Sequence, residues 1–245
     1  MELQMWAAMR GDALAFVASA GMVVGYHRFI GYQARHNREY SLQSVMTLTR
    51  IAWVRSVMSG GDAVLAVQTL RNSTMAATFL ASTAILLIIG VLTLSGQAEH
   101  LGNTWHLLGS MRAAQPQVLE AKLILLIVDL FVAFFSFSTS IRLFNHVGYM
   151  INVPLDLGYA ATSPGCVAAE LDRAGRWYGL GMRAYYVLVP LVLWLFAPLL
   201  MVLATPVVLF VLFKIDRMPG LAEETAREAG RTDRSGLVAL APPDM

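Results

Sequence analysis

The sequence predicts an all-α protein, a polytopic membrane helix bundle of four transmembrane helices with one or two interfacial amphipathic helices. Three observations carry that prediction. Of the 245 residues, 57% are hydrophobic and only 14% are charged, whereas soluble domains are nearer a quarter charged. Four windows supply the roughly 20 apolar residues that a spanning helix needs. One of them, EAKLILLIVDLFVAFFSFSTSIRLFNHVGY at 120–149, is apolar enough to enter a membrane yet carries Asp129 within the apolar run. The same composition bounds function. A net charge of +2 is too small to argue for a nucleic-acid partner, so the implied partner is the lipid bilayer. The single cysteine, Cys166, excludes an internal disulfide and a cysteine-based metal cluster, and reads as a small buried or interfacial thiol.

The first span is expected at about 12–32. The apolar run after MELQMWAAMRGD has no clear small-residue cleavage site, so it reads as a retained span. Gly21 and Gly25 form a GxxxG pair, suited to close helix packing within the chain or to a dimer seam. Residues 33–61 are mixed, with Arg35, Arg38, Arg50 and Arg55. Val45, Leu48 and Ala52, with Met46 and Trp53, recur near helical spacing, as expected for a helix lying at the interface. Ser59-Gly60-Gly61-Asp62 reads as a break with an N-cap, after which one helix runs from Ala63 through the second span, about 73–95. Arg71, Thr74, Thr78 and Ser82 share one stripe of that helix.

Residues 96–119 read as a polar loop with room for a short surface helix. Pro116 is well placed to start the third span, about 120–149, and Asn152-Val153-Pro154 to end it. A second short amphipathic helix, VAAELDRAGRWYGLGMR, is expected before a last span at about 184–213. Pro190, Pro198 and Pro206 lie eight residues apart in that span. A continuous helix of that length, about 45 Å, has to tilt, bend or protrude. Residues 1–217 thus form one four-span membrane domain, and 218–245 a polar tail with too few apolar residues to fold alone.

Arginine placement sets an expected orientation. Arg28, Arg35, Arg38, Arg50, Arg55 and Arg71 lie between spans one and two, and Arg142, Arg173, Arg176 and Arg183 between spans three and four. The segment between spans two and three holds only Arg112 and the boundary Lys122. The positive-inside rule then places the first and third loops in the cytoplasm and both termini outside, in the inner cell membrane. Lys214, Arg217, Arg227, Arg231 and Arg234 in the tail oppose that assignment.

Two sets of polar residues call for chemistry. Glu120, Lys122 and Asp129 are charges at the boundary or inside the third span. Lys122, Leu126, Asp129, Ala133, Ser136 and Ser140 share one helix face. An intramembrane carboxylate is by default an ion ligand, a proton relay or the partner of a cation, here Arg71, Lys122 or Arg183. The second set is Arg71, Asn72, Arg142, Asn145 and Arg183. These sit at cytoplasmic ends of spans, as an anion-binding basin of guanidinium forks or as side chains snorkelling to headgroups. The histidines His27, His36, His100, His106 and His146 have no metal spacing. HExxH, CxxC, GxSxG, P-loop and GxGxxG patterns are absent. No catalytic constellation, metal or cofactor is therefore expected.

Three stretches, LRNSTMAATFLASTAIL (70–86), EAKLILLIVDLFVAFFSFSTSIRLFNH (120–146) and LGMRAYYVLVPLVLWLFAP (180–198), resemble the bacterial and plant membrane family catalogued as domain of unknown function 599. The resemblance covers most of 14–217 in order. Matching positions include Arg71, Ser73, Glu120, Lys122, Ser140, Arg142, Asn145, Gly181, Arg183, Tyr185, Trp194 and Pro198. It implies a multi-span membrane protein with polar groups at the membrane edge and implies no activity. Asp129 is not among the matched positions. Two functional expectations follow from the residues. The first is an oligomeric channel or transporter for an anion or small solute, because four spans are few to enclose a pathway. The alternative is a non-catalytic accessory or structural subunit of a larger membrane complex, with Trp53 and Trp177 on docking surfaces. A lipid-acting enzyme lacks a nucleophile–base pair.

Overall fold

The computed structural model describes residues 2–36, 42–60, 63–96, 116–155 and 158–216. The expected loop helix near 100–115, the tail 218–245 and His36, His100 and His106 lie outside the described side chains. The described residues form six α-helices and a short 3-10 turn, with no strand among them. We number the helices α1 (Glu2–His36), α2 (Leu42–Gly60), α3 (Ala63–Gly96), α4 (Pro116–Met150), α5 (Pro164–Phe196) and α6 (Pro198–Asp216). The all-α membrane bundle is thus observed. Four helices are long and apolar enough to cross a membrane: Arg10–Tyr32, Val64–Gly96, Pro164–Phe196 and Pro198–Asp216. The first two contain the expected spans 12–32 and 73–95. The stretch 120–149 is the body of α4, which packs most extensively with α3 and α5.

The expected single span 184–213 is two helices, and the short amphipathic helix expected before it is continuous with the first of them. Pro190 and Pro206 sit inside helices, whereas the chain breaks at Ala197, whose φ of −159° and ψ of 142° are extended. A proline restricts the residue before it to extended backbone and removes its own N–H. Pro198 takes the first position of α6, where that N–H has no intrahelical partner to lose. Ala197 serves both helices, donating to the Leu193 carbonyl at 3.2 Å and accepting from Leu200 at 3.1 Å.

Three apolar clusters mark three depths. In the first, α2 (Val54, Val57), the start of α3 (Ala66, Leu70), the end of α4 (Leu143, Phe144, Val147) and the start of α5 (Val167, Leu171, Ala174) meet. The second joins Ala81 and Ala84 of α3 to Ala133 and Phe137 of α4 and Ala184 of α5. In the third, Leu126, Leu191, Trp194 and Met201 pack with Phe16 and Val91. So α4 runs antiparallel to α3 and to α5. The hairpin at Ala197 turns α6 back along α5, and α6 also packs against α1.

Contacts along α1 fix the polarity of the remaining helices. Asp12 meets Lys122 and Trp194, and Tyr26 meets Asp216. The two sets of contacts lie about 21 Å apart along the α1 axis.

The first cluster is held by a buried carboxylate. Asp172 is only 4% exposed. It accepts from Thr47 at 2.7 Å and from Arg50 at 3.0 Å across the α2–α5 contact, and from Arg176 one turn along its own helix. Arg50 fits because residue 175 is glycine: a Cβ there would overlap the guanidinium. That group is the far end of a flexible side chain, so in Gly175→Ala it moves away and gives up Asp172. We expect a loss of about 1.5–3 kcal/mol, the range for a hydrogen bond to a charged group. Faster amide exchange over 42–60 with unchanged exchange over 123–140 would check it. Trp53 and Trp177, expected on docking surfaces, pack instead against this cluster. Cys166 is exposed.

Candidate functional site

Pro198 leaves the carbonyl of Trp194 without the N–H that an α-helix would bring to it four residues later. Lys122 supplies the missing donor. Its ammonium lies 3.1 Å from that carbonyl, 2.7 Å from Asp12 Oδ1 and 5.0 Å from the centroid of the Trp194 ring. The Trp194 indole N–H donates to the same Asp12 oxygen at 2.8 Å, and Phe16 stacks on the indole at 5.3 Å. Lys122 is 5% exposed and the Asp12 side chain 18%. One clasp thus ties α1, α4 and α5 together at the elbow that leads into α6.

A second clasp lies at the other end of α1. Tyr26 donates to Asp216 Oδ2 at 3.0 Å, and Arg183 reaches the same oxygen at 3.5 Å. The Arg183 side chain is 29% exposed and that of Asp216 19%. This clasp is longer and wetter than the first. The separation of about 21 Å along α1 is less than the hydrocarbon thickness of about 30 Å.

Between the clasps are two buried polar atoms, Ser19 Oγ and Asp129 Oδ2, that find no hydrogen-bond partner among the described residues. Ser19 is seven residues from both Asp12 and Tyr26, and Asp129 is seven residues from Lys122. A step of seven returns to nearly the same helix face about 10 Å along the axis. The two atoms are therefore at similar depth on two helices that the Asp12–Lys122 pair aligns.

The expected partners of Asp129 are engaged elsewhere or exposed: Lys122 pairs with Asp12, Arg183 pairs with Asp216, and Arg71 is exposed. Lys122, Leu126, Ala133, Ser136 and Ser140 of the expected face are buried, and Asp129 lies partly buried at its edge. Ser140 donates to the Ala174 carbonyl at 2.9 Å, tying α4 to α5. Ser136 turns instead onto Val132 of its own helix at 2.6 Å, and Thr78 onto Thr74 at 2.8 Å. Those hydroxyls are satisfied locally and do not line a path.

Of the expected basin, Arg71, Asn72, Arg142 and Asn145 are exposed on α3 and α4, and only Arg183 belongs to a clasp. Glu120 is exposed. The sequence reading passed over Asp12, Tyr26 and Asp216. The spacing Asp12, Ser19, Tyr26 was visible on one face, but nothing in the sequence brings Asp12 to Lys122 or Asp216 to Arg183 across the chain.

A family model described as "Protein of unknown function, DUF599" matches residues 14–219. The chain belongs to the DUF599 family. No curated protein and no solved structure matches it. In this member of DUF599, the matched region takes in Lys122, Trp194 and Pro198 of the first clasp and all three residues of the second. Asp12 falls just before it.

Proposed function

We propose that this DUF599 protein moves a small solute or ion across a membrane along the face of α1 that carries Asp12, Ser19 and Tyr26. The observation that carries the reading is the pair of buried unpartnered oxygens, on Ser19 and Asp129, midway between two charged clasps. Ionisable groups at such depth are costly and mark substrate or ion pathways. Burying a polar atom without a partner also costs stability. In this reading, the exposed Arg71, Asn72, Arg142 and Asn145, on the turns of α3 and α4 that meet at the first apolar cluster, form a cationic rim that gathers anions or headgroups at that end. Gly21 and Gly25 are exposed, with nothing within 4 Å of a Cβ placed there. That open surface suits a second copy, so the transporter is read as a homo-oligomer.

The break at Ala197 also bears on orientation. Arg50, Arg55, Arg71, Arg142, Arg173 and Arg176 lie on the helices that meet at the first apolar cluster. We place that end in the cytoplasm by the positive-inside rule. Residue 12 then lies outside and residue 216 inside. Lys214 now supports the assignment that it opposed under a four-pass topology.

Flux from proteoliposomes tests the function. Purified protein should release small ions above empty vesicles, and Asp129→Asn should cut that flux by about tenfold, the scale of 1.4 kcal/mol at a barrier. Equal flux from protein-loaded and empty vesicles, over a panel of small cations and anions, would remove the transport reading. Migration as a heteromeric complex after gentle extraction would favour an accessory subunit instead.

A further inference from the structure

The two clasps differ in a way that separates a permanent joint from an occupied site. At the first, a buried ammonium meets a carboxylate at 2.7 Å and also caps a backbone carbonyl. Breaking it strands the ammonium and the carbonyl and leaves the carboxylate with only the Trp194 indole N–H. At the second, two donors from two helices, the Tyr26 hydroxyl at 3.0 Å and the Arg183 guanidinium at 3.5 Å, converge on one carboxylate oxygen. Arg183 pairs with Asp216 by charge at 3.5 Å, although a guanidinium fork can grip an oxyanion through two hydrogen bonds. The carboxylate belongs to the last described residue of α6. Its departure strands no backbone carbonyl, so this occupant leaves at lower cost than a member of the first clasp.

We propose that Arg183 and Tyr26 form an oxyanion site, for a carboxylate or phosphate group, and that Asp216 is its tethered occupant. The site deepens the transport reading by naming the class of ligand, and it rests on that reading only in making the ligand a cargo. Guanidinium and phenol recognise the planar carboxylate or the phosphate by charge and hydrogen bonding. Asp216 supplies the same group intramolecularly at high effective concentration. An external anion binds by displacing it, so wild-type affinity is lowered by the fraction of time that the site is closed. Lys214, two residues before Asp216, and Arg28, two residues after Tyr26, add positive charge at this end.

The test uses the full chain in phosphatidylcholine nanodiscs and inorganic phosphate as probe, titrated calorimetrically. Asp216→Asn removes the tethered carboxylate and should bind phosphate at least about tenfold more tightly than wild type. Adding Arg183→Gln should abolish that gain, and adding Tyr26→Phe should reduce it. Asp216→Ser, with a different side chain and also no carboxylate, should behave as Asp216→Asn does. A second arm adds phosphatidylglycerol. If the phosphate comes from lipid, Asp216→Asn retains more phosphatidylglycerol by mass spectrometry, in an Arg183-dependent way, and shows no phosphate heat. If neither phosphate affinity nor lipid retention changes in Asp216→Asn and Asp216→Ser, or if a change persists without Arg183, the site is refuted. Binding without flux would sink transport and leave the site standing; flux without Arg183-dependent binding would do the reverse.

Discussion

Lys122→Met should lower the stability of the purified protein by about 3–5 kcal/mol, the cost of stranding one member of a buried ion pair. Methionine keeps an unbranched apolar stem and lacks only the terminal ammonium, so most of the loss is electrostatic. It leaves the Asp12 carboxylate without its cation and the Trp194 carbonyl without the donor that replaces the missing N–H of Pro198. Both groups are desolvated when the bundle forms. Asp12→Asn in the same background should recover part of the loss, because the uncompensated charge is then gone while the orphaned carbonyl remains. Reversible unfolding in mixed micelles, followed by tryptophan emission, measures both. Stability of Lys122→Met within 1 kcal/mol of wild type would show that the elbow does not depend on this contact.

Gly181→Ala should cost about 1–3 kcal/mol, the usual scale for overpacking a core. A Cβ at 181 would lie 2.8–2.9 Å from three carbons of the Phe137 ring. That ring is fully buried. It is wedged edge-on between Tyr178, at 5.6 Å between centroids, and Tyr185, at 5.4 Å. Unlike the guanidinium beside Gly175, a packed aromatic ring has no free end to swing away, so α4 and α5 must separate. Tyr185 is itself anchored to the Leu80 carbonyl of α3, which carries the strain into a third helix. Phe137→Leu should relieve the clash and restore part of the stability in the double variant, at the expense of its own cavity. A double-mutant cycle reads the coupling directly. Additive losses would mean that residue 181 and Phe137 do not meet.

The gaps in the sequence reading share one cause. Periodicity placed Lys122, Leu126, Ala133, Ser136 and Ser140 on a common face, and the structure buries all five. Spacing along one helix is local information, so it survives into the fold. Asp129 is legible as an anomaly, but of its suggested partners Lys122 and Arg183 pair with other carboxylates and Arg71 is exposed. Three prolines at equal spacing looked alike, yet only Pro198 breaks the chain. Breaking there needs an outside donor for the freed carbonyl, and that donor lies 72 residues away. The glycines show the same limit. A Cβ at Gly21 or Gly25, which carry the recognised motif, meets nothing within 4 Å among the described residues, while Gly175 and Gly181, in no motif, are pressed by neighbouring side chains.

What the sequence determined by itself is the medium and the material: an all-α chain with helices apolar enough to span a bilayer, and charges confined to a few faces and ends. Hydrophobic length and helical period are enough for that, since a membrane demands that each segment satisfy its own backbone. Tertiary structure alone decided where the helices break, the partners of the buried charges and the end of the bundle at which residue 216 lies. Each of those depends on which side chain reaches a group orphaned elsewhere in the chain. Lys122 at the Trp194 carbonyl and Arg183 at Asp216 are such encounters, and only the folded bundle brings them together.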